Sequence, residues 1–464
     1  MNKYLLSLIV VLFSAISASA YDFEHGNICY NKISDNEVEV TYYYIDFKNQ
    51  KQDYYTGDVV IPESIRVNGT KEYTVTKIGK YAFLYSYGLS SVTIPATVKV
   101  IGSQAFGDCE NLITITISDS DEELTTDYFA TGYVPIFTGS PVKSIYVGRP
   151  CSAVFRNLPN LEIIEFGENL TDIPCVSDAP KLTSVTIPDK AVSLGGFPNT
   201  GLSEITLPNS IKEIGPGAFN NTAISKLELP SALEVIGETA FKDCPLAEIT
   251  VPASCTHFSG TFKFSNLKTI NILAPIAKIS AEDFFYCTLL KSLSIPNTYT
   301  VIEHSAFEGC CSLESFIVPN SVENIEFEAF LGCSALKSIT FGENVYTIGS
   351  QAFKECESLE SVTCLGYHAP IIIKNVFDDM TYKTATLYYN ETSIWYTCDN
   401  SVWNNFIKTV PIDPTSAGFG SVVDDSPALI VSYTNSCGMV DSKPFKGLNI
   451  VKYSNGQSRK IFIK

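Results

Sequence analysis

Three consecutive stretches of the chain share one pattern: LKSLSIPNTYTVIEHSAFEGCCS (290–312), LESFIVPNSVENIEFEAFLGCSA (313–335) and LKSITFGENVYTIGSQAFKECES (336–358). Each opens with alternating apolar and polar residues, which is typical of a half-buried strand. A second extended segment follows, and an Ala-Phe pair then precedes a cysteine. One such unit cannot bury its apolar face alone, so the fixed period predicts stacked units that share a core.

Recurring leucines, or equivalent apolar residues, extend this pattern over most of the chain. Most intervals between them are 19–23 residues, and the last four are each 23 residues. The starting residues are Leu89, Leu112, Val142, Leu161, Leu182, Leu202, Ile224, Leu246, Leu267, Leu290, Leu313, Leu336 and Leu359. We therefore predict a β-rich solenoid of about 13–14 repeats of 19–23 residues, which occupies residues 58–388.

Two positions of the repeat predict its interior. The phenylalanine after the alanine should form a spine through the core; its members are Phe83, Phe106, Phe219, Phe241, Phe285, Phe307, Phe330 and Phe353. A cysteine recurs twenty residues after the start, where a small buried thiol fits. We call these residues the cysteine ladder: Cys109, Cys244, Cys287, Cys310, Cys333 and Cys356.

The remaining cysteines do not follow the repeat. Among them, Cys311 is the immediate neighbour of the ladder residue Cys310. We expect any disulfide among Cys29, Cys151, Cys175, Cys255, Cys364, Cys398 and Cys437. Zinc sites need pairs spaced as C-x-x-C, and the chain contains none. We therefore predict no metal site and no cofactor.

The pattern L-x-x-I-x-I-P … I-G-x-x-A-F-x-x-C resembles that of the BspA-like (Treponema pallidum-type) leucine-rich-repeat surface proteins of Bacteroidetes, over about residues 58–388. This resemblance implies a leucine-rich-repeat solenoid that is exported and adheres to host matrix proteins or to other bacterial surfaces. A glycan-binding accessory protein of the cell surface is the alternative function.

The first twenty residues predict export. Lys3 precedes an apolar stretch, 5–16, and Ala18-Ser19-Ala20 forms a small-residue cleavage site. This stretch is too short to span a membrane, so we predict a signal peptide (1–20) and no transmembrane segment. The protein is then secreted or held at the outer cell surface. Residues 21–57 are tyrosine-rich and alternate, which predicts an N-terminal β cap.

The C-terminal region departs from the repeat in three steps. We predict a C-terminal cap at 389–412, a linker at 413–425 and a tail at 426–464. The tail predicts a β hairpin that turns at Asn455-Gly456. Its last segment resembles the C-terminal sorting domains of Bacteroidetes type IX secretion. The alternative is a small hairpin module without a sorting role.

Composition and motifs argue against an enzyme and against nucleic-acid binding. The four histidines are scattered, and the chain has no G-x-S-x-G, H-E-x-x-H, P-loop or Rossmann pattern. Acidic residues outnumber basic ones by 50 to 32, for a net charge of −18. Such a surface repels phosphate backbones and favours basic partners. The acidic run 119–123 lacks the D-x-D-x-D-G pattern of a calcium loop, so we interpret it as a solvated insertion.

Outward-facing residues should contact a partner, which we expect to be another protein. These are the second and fourth residues after each start, and most are serine or threonine. Charged residues interrupt this pattern between 163 and 248, and the 118–141 insertion lies just before. Both tryptophans lie within the predicted C-terminal cap. The candidate partner-binding residues are Tyr146, Glu165, Glu204, Lys226, Glu228, Glu248, Trp395 and Trp403.

Overall fold

The structure is a computed structural model with two compact units. Unit 1 contains Met1–Pro230 and Ala240–Pro245, and unit 2 contains Ser231–Thr239 and Leu246–Lys464. The described residues are 21–43, 52–127, 136–151, 155–396, 401–413, 430–435, 440–441, 447–453 and 458–463. The predicted signal peptide, Cys398, Cys437, the Asn455-Gly456 turn and all but the first residue of the predicted linker lie outside these residues.

Unit 1 is a β-solenoid that begins with a short antiparallel sheet. Its strands are β1 (Phe23–His25), β2 (Ile28–Lys32), β3 (Glu37–Thr41), β4 (Gln52–Val60), β5 (Ser64–Val67), β6 (Lys71–Ile78), β7 (Ser86–Ile94), β8 (Val100–Ile101), β9 (Thr114–Ile117), β10 (Thr125–Thr126), β11 (Ser144–Val147), β12 (Ile163–Phe166), β13 (Asp172–Ile173), β14 (Ser193–Leu194) and β15 (Glu213–Ile214). β1, β2 and β3 are antiparallel neighbours, and β3, β6, β8 and β10 then pair in parallel.

Two kinds of parallel ladder run through unit 1. The leading segments of the repeats form a sheet of order β12-β11-β9-β7-β4, which we call the first ladder of unit 1. The second extended segments pair separately, as in β13, β14 and β15. In the first ladder Ser91, Thr114 and Ser144 lie side by side, as stacking of equivalent repeat positions requires.

Unit 2 is also a β-solenoid, so that the described part of the chain has about 14 turns and almost no helix, as the repeat predicts. Its solenoid strands are β16 (Val235–Ile236), β17 (Glu248–Val251), β18 (His257–Phe258), β19 (Thr269–Ile272), β20 (Lys278–Ile279), β21 (Ser292–Ser294), β22 (Val301–Ile302), β23 (Ser315–Ile317), β24 (Asn324–Ile325), β25 (Ser338–Phe341), β26 (Thr347–Ile348), β27 (Ser361–Cys364), β28 (Thr386–Asn390) and β29 (Lys408–Ile412). The parallel sheets are β17-β19-β21, β20-β22-β24-β26 and β23-β25-β27-β28-β29.

The few helical residues that the structure describes lie near the C-terminal end of unit 2. The single-turn helix α1 (Asp379–Thr384) precedes β28, and 3-10 turns lie at Lys374–Val376 and Val402–Asn405. The tail forms an antiparallel sheet of order β31-β30-β32-β33 from β30 (Ile430–Asn435), β31 (Val440–Asp441), β32 (Gly447–Tyr453) and β33 (Ser458–Ile463). The antiparallel pairing of β32 with β33 is that of the predicted hairpin.

Stacked phenylalanine rings fill the interior of each unit. In unit 2 the ring centroids of Phe284, Phe307 and Phe330 follow one another at 5.1 and 4.9 Å, with interplanar angles of 4° and 16°. In unit 1, Phe83 and Phe106 stack at 5.1 Å. Offset stacking of this kind adds about 0.5–1.5 kcal/mol per pair to the burial of the rings.

The structure corrects one member of the predicted spine. Phe284, not Phe285, is the spine residue: it is 0% exposed, whereas Phe285 is half-buried beside Lys263. The cysteine ladder explains the register, since Phe284 precedes Cys287 by the same three residues that separate Phe307 from Cys310. Asp283 therefore occupies the position that alanine has in most other repeats.

The cysteine ladder consists of buried thiols, which confirms the interpretation of its spacing. Among the off-ladder cysteines that the structure describes, four are free: Cys29, Cys175, Cys255 and Cys364. Cys311 is exposed. Within the described part of the chain, stability therefore rests on stacked apolar side chains and parallel ladders rather than on disulfides.

Candidate partner-binding groove in unit 1

The first ladder of unit 1 ends at β12. This strand pairs in parallel with β11, with Ile163 opposite Ser144. The next leading segment, 182–187, has the same alternating pattern, but it forms no strand, and none of the backbone hydrogen bonds among the described residues joins it to β12. The two coils remain joined elsewhere, through β13 and β14 and through Val176 N–H, which donates to Gly196 O at 2.9 Å. They therefore diverge on the side of the first ladder.

This divergence opens a cavity of about 1110 Å³. We call it the acidic groove; it is lined by Asp119, Tyr146, residues 162–169 and residues 184–190. Its lining contains five carboxylates, from Asp119, Glu162, Glu165, Glu168 and Asp189, and one lysine, Lys190. The lysine Nζ donates to Asn169 Oδ1 at 2.6 Å. The lining is therefore strongly negative, and it favours a cationic ligand.

Tyr146 shows how closely these carboxylates converge. Its Oη donates to Asp119 Oδ1 at 2.7 Å. The hydrogen bond to Asp119 and partial burial, together with the negative charges of Asp119, Glu168 and Glu165, raise the pKa of Tyr146 to about 12. Each of these charges opposes the formation of a phenolate, so the phenol remains a neutral donor at physiological pH.

An apolar side chain lies on the same strand as the carboxylates. Ile163 takes an outward position where the neighbouring strand of the ladder has Ser144, and it is 51% exposed. The next residue, Ile164, is buried, and Glu165 is exposed. β12 therefore presents one apolar and one acidic side chain on its outer face, a combination that suits a peptide ligand better than a bare ion.

The groove unites only some of the predicted residues. Tyr146 and Glu165 line it, and sequence reasoning missed Glu162, Glu168 and Asp189 as their neighbours. Asp119, at the start of the predicted insertion, also lines the groove. The glutamates crowded into LEIIEFGENL (161–170) were the signal for this acidity.

The other charged candidates lie outside the lining of the groove. Glu204, Lys226 and Glu228 are exposed in unit 1. Glu248 begins β17 in unit 2 and is exposed there.

The two tryptophans differ sharply in exposure. Trp403 is 2% exposed, and its Nε1 donates to Pro370 O at 2.8 Å within a cluster that includes Phe377 and Phe406. Trp403 is therefore not an exposed binding residue, because its ring packs in the core of the C-terminal cap. Trp395 is 48% exposed.

The described residues contain no group of three or more histidine, cysteine or acidic residues that could hold a metal ion. In the same part of the chain, no helix has the length and apolar character needed to cross a membrane.

Comparison with known proteins agrees with the repeat. The model described as "BspA type Leucine rich repeat region (6 copies)" matches residues 68–175, 151–261 and 258–384. A leucine-rich repeat protein from Bacteroides ovatus is 26% identical, with 74% of this chain and 94% of that chain covered and a TM-score of 0.49. A leucine rich cell surface protein from Faecalibacterium prausnitzii is 23% identical, with coverages of 74% and 94% and a TM-score of 0.37.

The leucine-rich repeat protein of T. pallidum is 15% identical, with 73% of this chain and 90% of that chain covered and a TM-score of 0.15. The comparison with curated proteins finds no match. The family model spans well over half of the sequence, and its boundaries fall within the stacked coils described above. The chain belongs to the BspA-type leucine-rich-repeat family of bacterial surface proteins.

Proposed function

We propose that this chain is a secreted or surface-attached protein that binds another protein, of the host matrix or of a bacterial surface, and that the acidic groove is its main binding site. Membership of a leucine-rich-repeat family of surface proteins supports protein binding, and the sequence of residues 1–20 supports export. Solenoids of this type generally act as scaffolds, so the proposal includes no catalytic step.

One observation carries the choice of surface: the first ladder of unit 1 ends at β12 and leaves a cavity of about 1110 Å³ lined by five carboxylates. Serine and threonine on the preceding strands extend the same face with small hydrogen-bonding groups, for example Ser91, Thr114 and Ser144. A partner with a basic patch could therefore enter the groove and also contact the ladder beside it.

A pull-down with the immobilised chain from residue 21 onward tests this proposal. The protein is exposed separately to host matrix proteins and to bacterial surface extracts. We expect a retained partner that is lost with the triple variant Glu162→Gln/Glu165→Gln/Glu168→Gln. The matched control, Glu110→Gln/Glu213→Gln/Asp243→Asn, removes three negative charges from exposed positions of unit 1 outside the groove lining. Failure to retain a partner from either source, or equal loss with both variants, would contradict the proposal.

A specific cluster favours the second function, glycan binding. Trp395 lies 5.8 Å from the ring of His368, and His368 lies 5.0 Å from Tyr367. Trp395 and Tyr367 are each about half exposed. Exposed aromatic rings can stack on the apolar face of a sugar.

A glycan array distinguishes this second function from protein binding. Trp395→Ala should abolish any glycan signal if the cluster binds sugars. Tyr346→Ala, at another exposed aromatic residue of unit 2, serves as the control and should leave the signal unchanged. A glycan signal that survives Trp395→Ala would exclude this cluster as the site.

A further inference from the structure

The groove contains a feature that specifies how a protein partner enters it, and the inference rests on the proposed function. We propose that the partner contributes an extended segment bearing lysine or arginine, which adds as a strand to the free edge of β12. This mode of recognition uses main-chain hydrogen bonds for affinity and alternate side chains for specificity.

The free edge follows from the hydrogen bonds that β12 already makes. Ile163 N–H donates to Lys143 O at 3.0 Å, and Gly167 N–H donates to Val147 O at 2.9 Å. In a parallel strand, alternate residues direct their N–H and C=O groups to opposite sides. The backbone groups of Ile164 therefore point away from β11.

Phe166 is in the same position, two residues further along the strand. No other strand pairs with β12, and none of the backbone hydrogen bonds among the described residues involves the N–H or C=O of Ile164 or Phe166 on that side. Such a row of open donors and acceptors is a template for another strand.

The volume of the cavity is large enough for a short peptide segment. Its volume of about 1110 Å³ slightly exceeds the range of about 300–1,000 Å³ that is common for ligand pockets. Its opposite wall is the segment 184–190, which forms no strand and makes no backbone hydrogen bond to β12. An added strand lies about 4.8 Å from its neighbour, so it would occupy the space between β12 and this wall.

The side chains beside the edge select the sequence of the added segment. Its outer face would lie next to Ile163 and Glu165. Glu168 follows the end of β12, and Asp189 lies on the opposite wall. Lysine or arginine there forms charge-assisted hydrogen bonds with these carboxylates.

The inner face of the same segment would meet apolar residues. Phe166 and Val185 line the groove and are half-buried. Because side chains alternate along a strand, the fitting sequence alternates a basic residue with a β-branched apolar residue.

A different sheet edge shows what β12 lacks. In unit 2 the terminal strand β29 is exposed along most of its length, but it carries Lys408 and Pro411. Proline and lysine are the residues with which proteins commonly block addition to an edge. β12, with the sequence IIEF, contains neither.

The test uses a fluorescently labelled peptide, Lys-Val-Lys-Val-Lys-Val, and its anisotropy on addition of the chain from residue 21 onward. Two further peptides carry N-methyl groups on one or the other set of alternate amides. A methylated amide cannot donate, whereas charge and side chains stay the same. We expect the unmodified peptide to bind saturably. At least one methylated peptide should bind with an affinity lower by about tenfold or more, because two main-chain hydrogen bonds are lost.

Two protein variants provide the matched comparison. Glu165→Lys reverses the charge beside the added strand and should weaken the unmodified peptide about tenfold. Glu110→Lys makes the same change at an exposed position of unit 1 outside the groove lining and should leave binding unchanged. A Glu-Val-Glu-Val-Glu-Val peptide should not bind. The thermal unfolding of both variants shows whether they fold.

Equal affinity of all three lysine peptides would overturn strand addition, because charge attraction alone would then account for binding. Absence of binding, or equal weakening by Glu165→Lys and Glu110→Lys, would overturn it as well. If the immobilised chain still retains a protein partner in any of these cases, the proposed function stands and only this inference fails.

Discussion

Each thiol of the cysteine ladder in unit 2 donates a hydrogen bond to the coil before it. Cys310 Sγ lies 3.2 Å from Phe284 O. Cys333 Sγ lies 3.2 Å from Phe307 O, and Cys356 repeats the contact one coil later. Cysteine therefore recurs here because it combines a small buried side chain with a weak donor that satisfies a carbonyl of the spine.

The thiols should differ in reactivity according to their burial. Burial raises the pKa of Cys287 to about 11 and that of Cys356 to about 12, whereas Cys311 is exposed. Because the thiolate is the reactive form, we expect iodoacetamide at pH 8 to label Cys311 well before either ladder thiol in the folded protein. Mass spectrometry of the digested protein measures this, and equal labelling of Cys356 and Cys311 would contradict the ladder.

Two neighbouring phenylalanines provide a matched test of the spine. Phe284→Ala removes a fully buried ring that stacks on both sides, so it should lower the free energy of unfolding by about 3–5 kcal/mol. Phe285→Ala removes a half-buried ring and should cost less than half as much. Urea unfolding measures both, and a larger loss for Phe285→Ala would show that the register of this coil is different.

At the scale of elements, the coil of unit 2 that contains β18 is shorter than its neighbours. The shortening lies between β18 and the spine residue Phe262. Phe262 follows Phe258 by four positions in the sequence, whereas Phe307 follows Ile302 by five. The carboxylate of Asp283, in the next coil, fills the gap: it accepts hydrogen bonds from Gly260 N–H at 2.6 Å and from Ser280 N–H at 2.7 Å.

Replacing Asp283 with the alanine found at this position elsewhere should therefore destabilise the chain. Asp283→Ala leaves the buried N–H of Gly260 without its acceptor, which costs about 1–3 kcal/mol. Asp283→Asn keeps one carbonyl oxygen and should lose less. Thermal unfolding compares the two variants, and no loss with Asp283→Ala would show that the carboxylate does not compensate for the short coil.

Asp283 should also give unfolding a recognisable pH dependence. Burial raises the pKa of its carboxyl well above the usual value, so the folded state binds this proton more readily than the unfolded state. The contribution of Asp283 to the free energy of unfolding is full at pH values below its pKa in the unfolded state, about 3.9. This contribution is lost as pH rises towards its pKa in the folded state. The wild type should thus lose stability relative to Asp283→Asn as pH rises from about 4, and a constant difference would contradict this.

The repeat pattern allowed the coils, the cysteine ladder and the outward positions to be predicted, because stacking places equivalent residues side by side. Phe285 was misassigned since two phenylalanines are adjacent, and only alignment on Cys287 separates them. The burial of Trp403 depends on solenoid residues distant in sequence, such as Phe341. The groove depends on how far β12 and 182–187 diverge, and the sequence of a single repeat does not encode this divergence. The charges of Glu165 and its neighbours indicated only the region.

At the scale of the whole molecule, the net charge of −18 attracts positively charged partners and repels negatively charged ones. Exposed charges attract over a Debye length of about 10 Å at 0.1 M salt and about 3 Å at 1 M. Binding of the Lys-Val peptide should therefore weaken steadily as salt is raised. The triple glutamine variant of the groove should show a shallower dependence than the matched control variant, and identical slopes would place the peptide outside the groove.

Hydrogen–deuterium exchange tests the central claim, binding at the free edge of β12, most directly. The chain from residue 21 onward is labelled with and without a saturating amount of the Lys-Val peptide. We expect slower exchange in the segment 162–168, because the N–H groups of Ile164 and Phe166 gain acceptors. Unchanged exchange in 162–168 at saturation, with protection elsewhere in the chain, would contradict it.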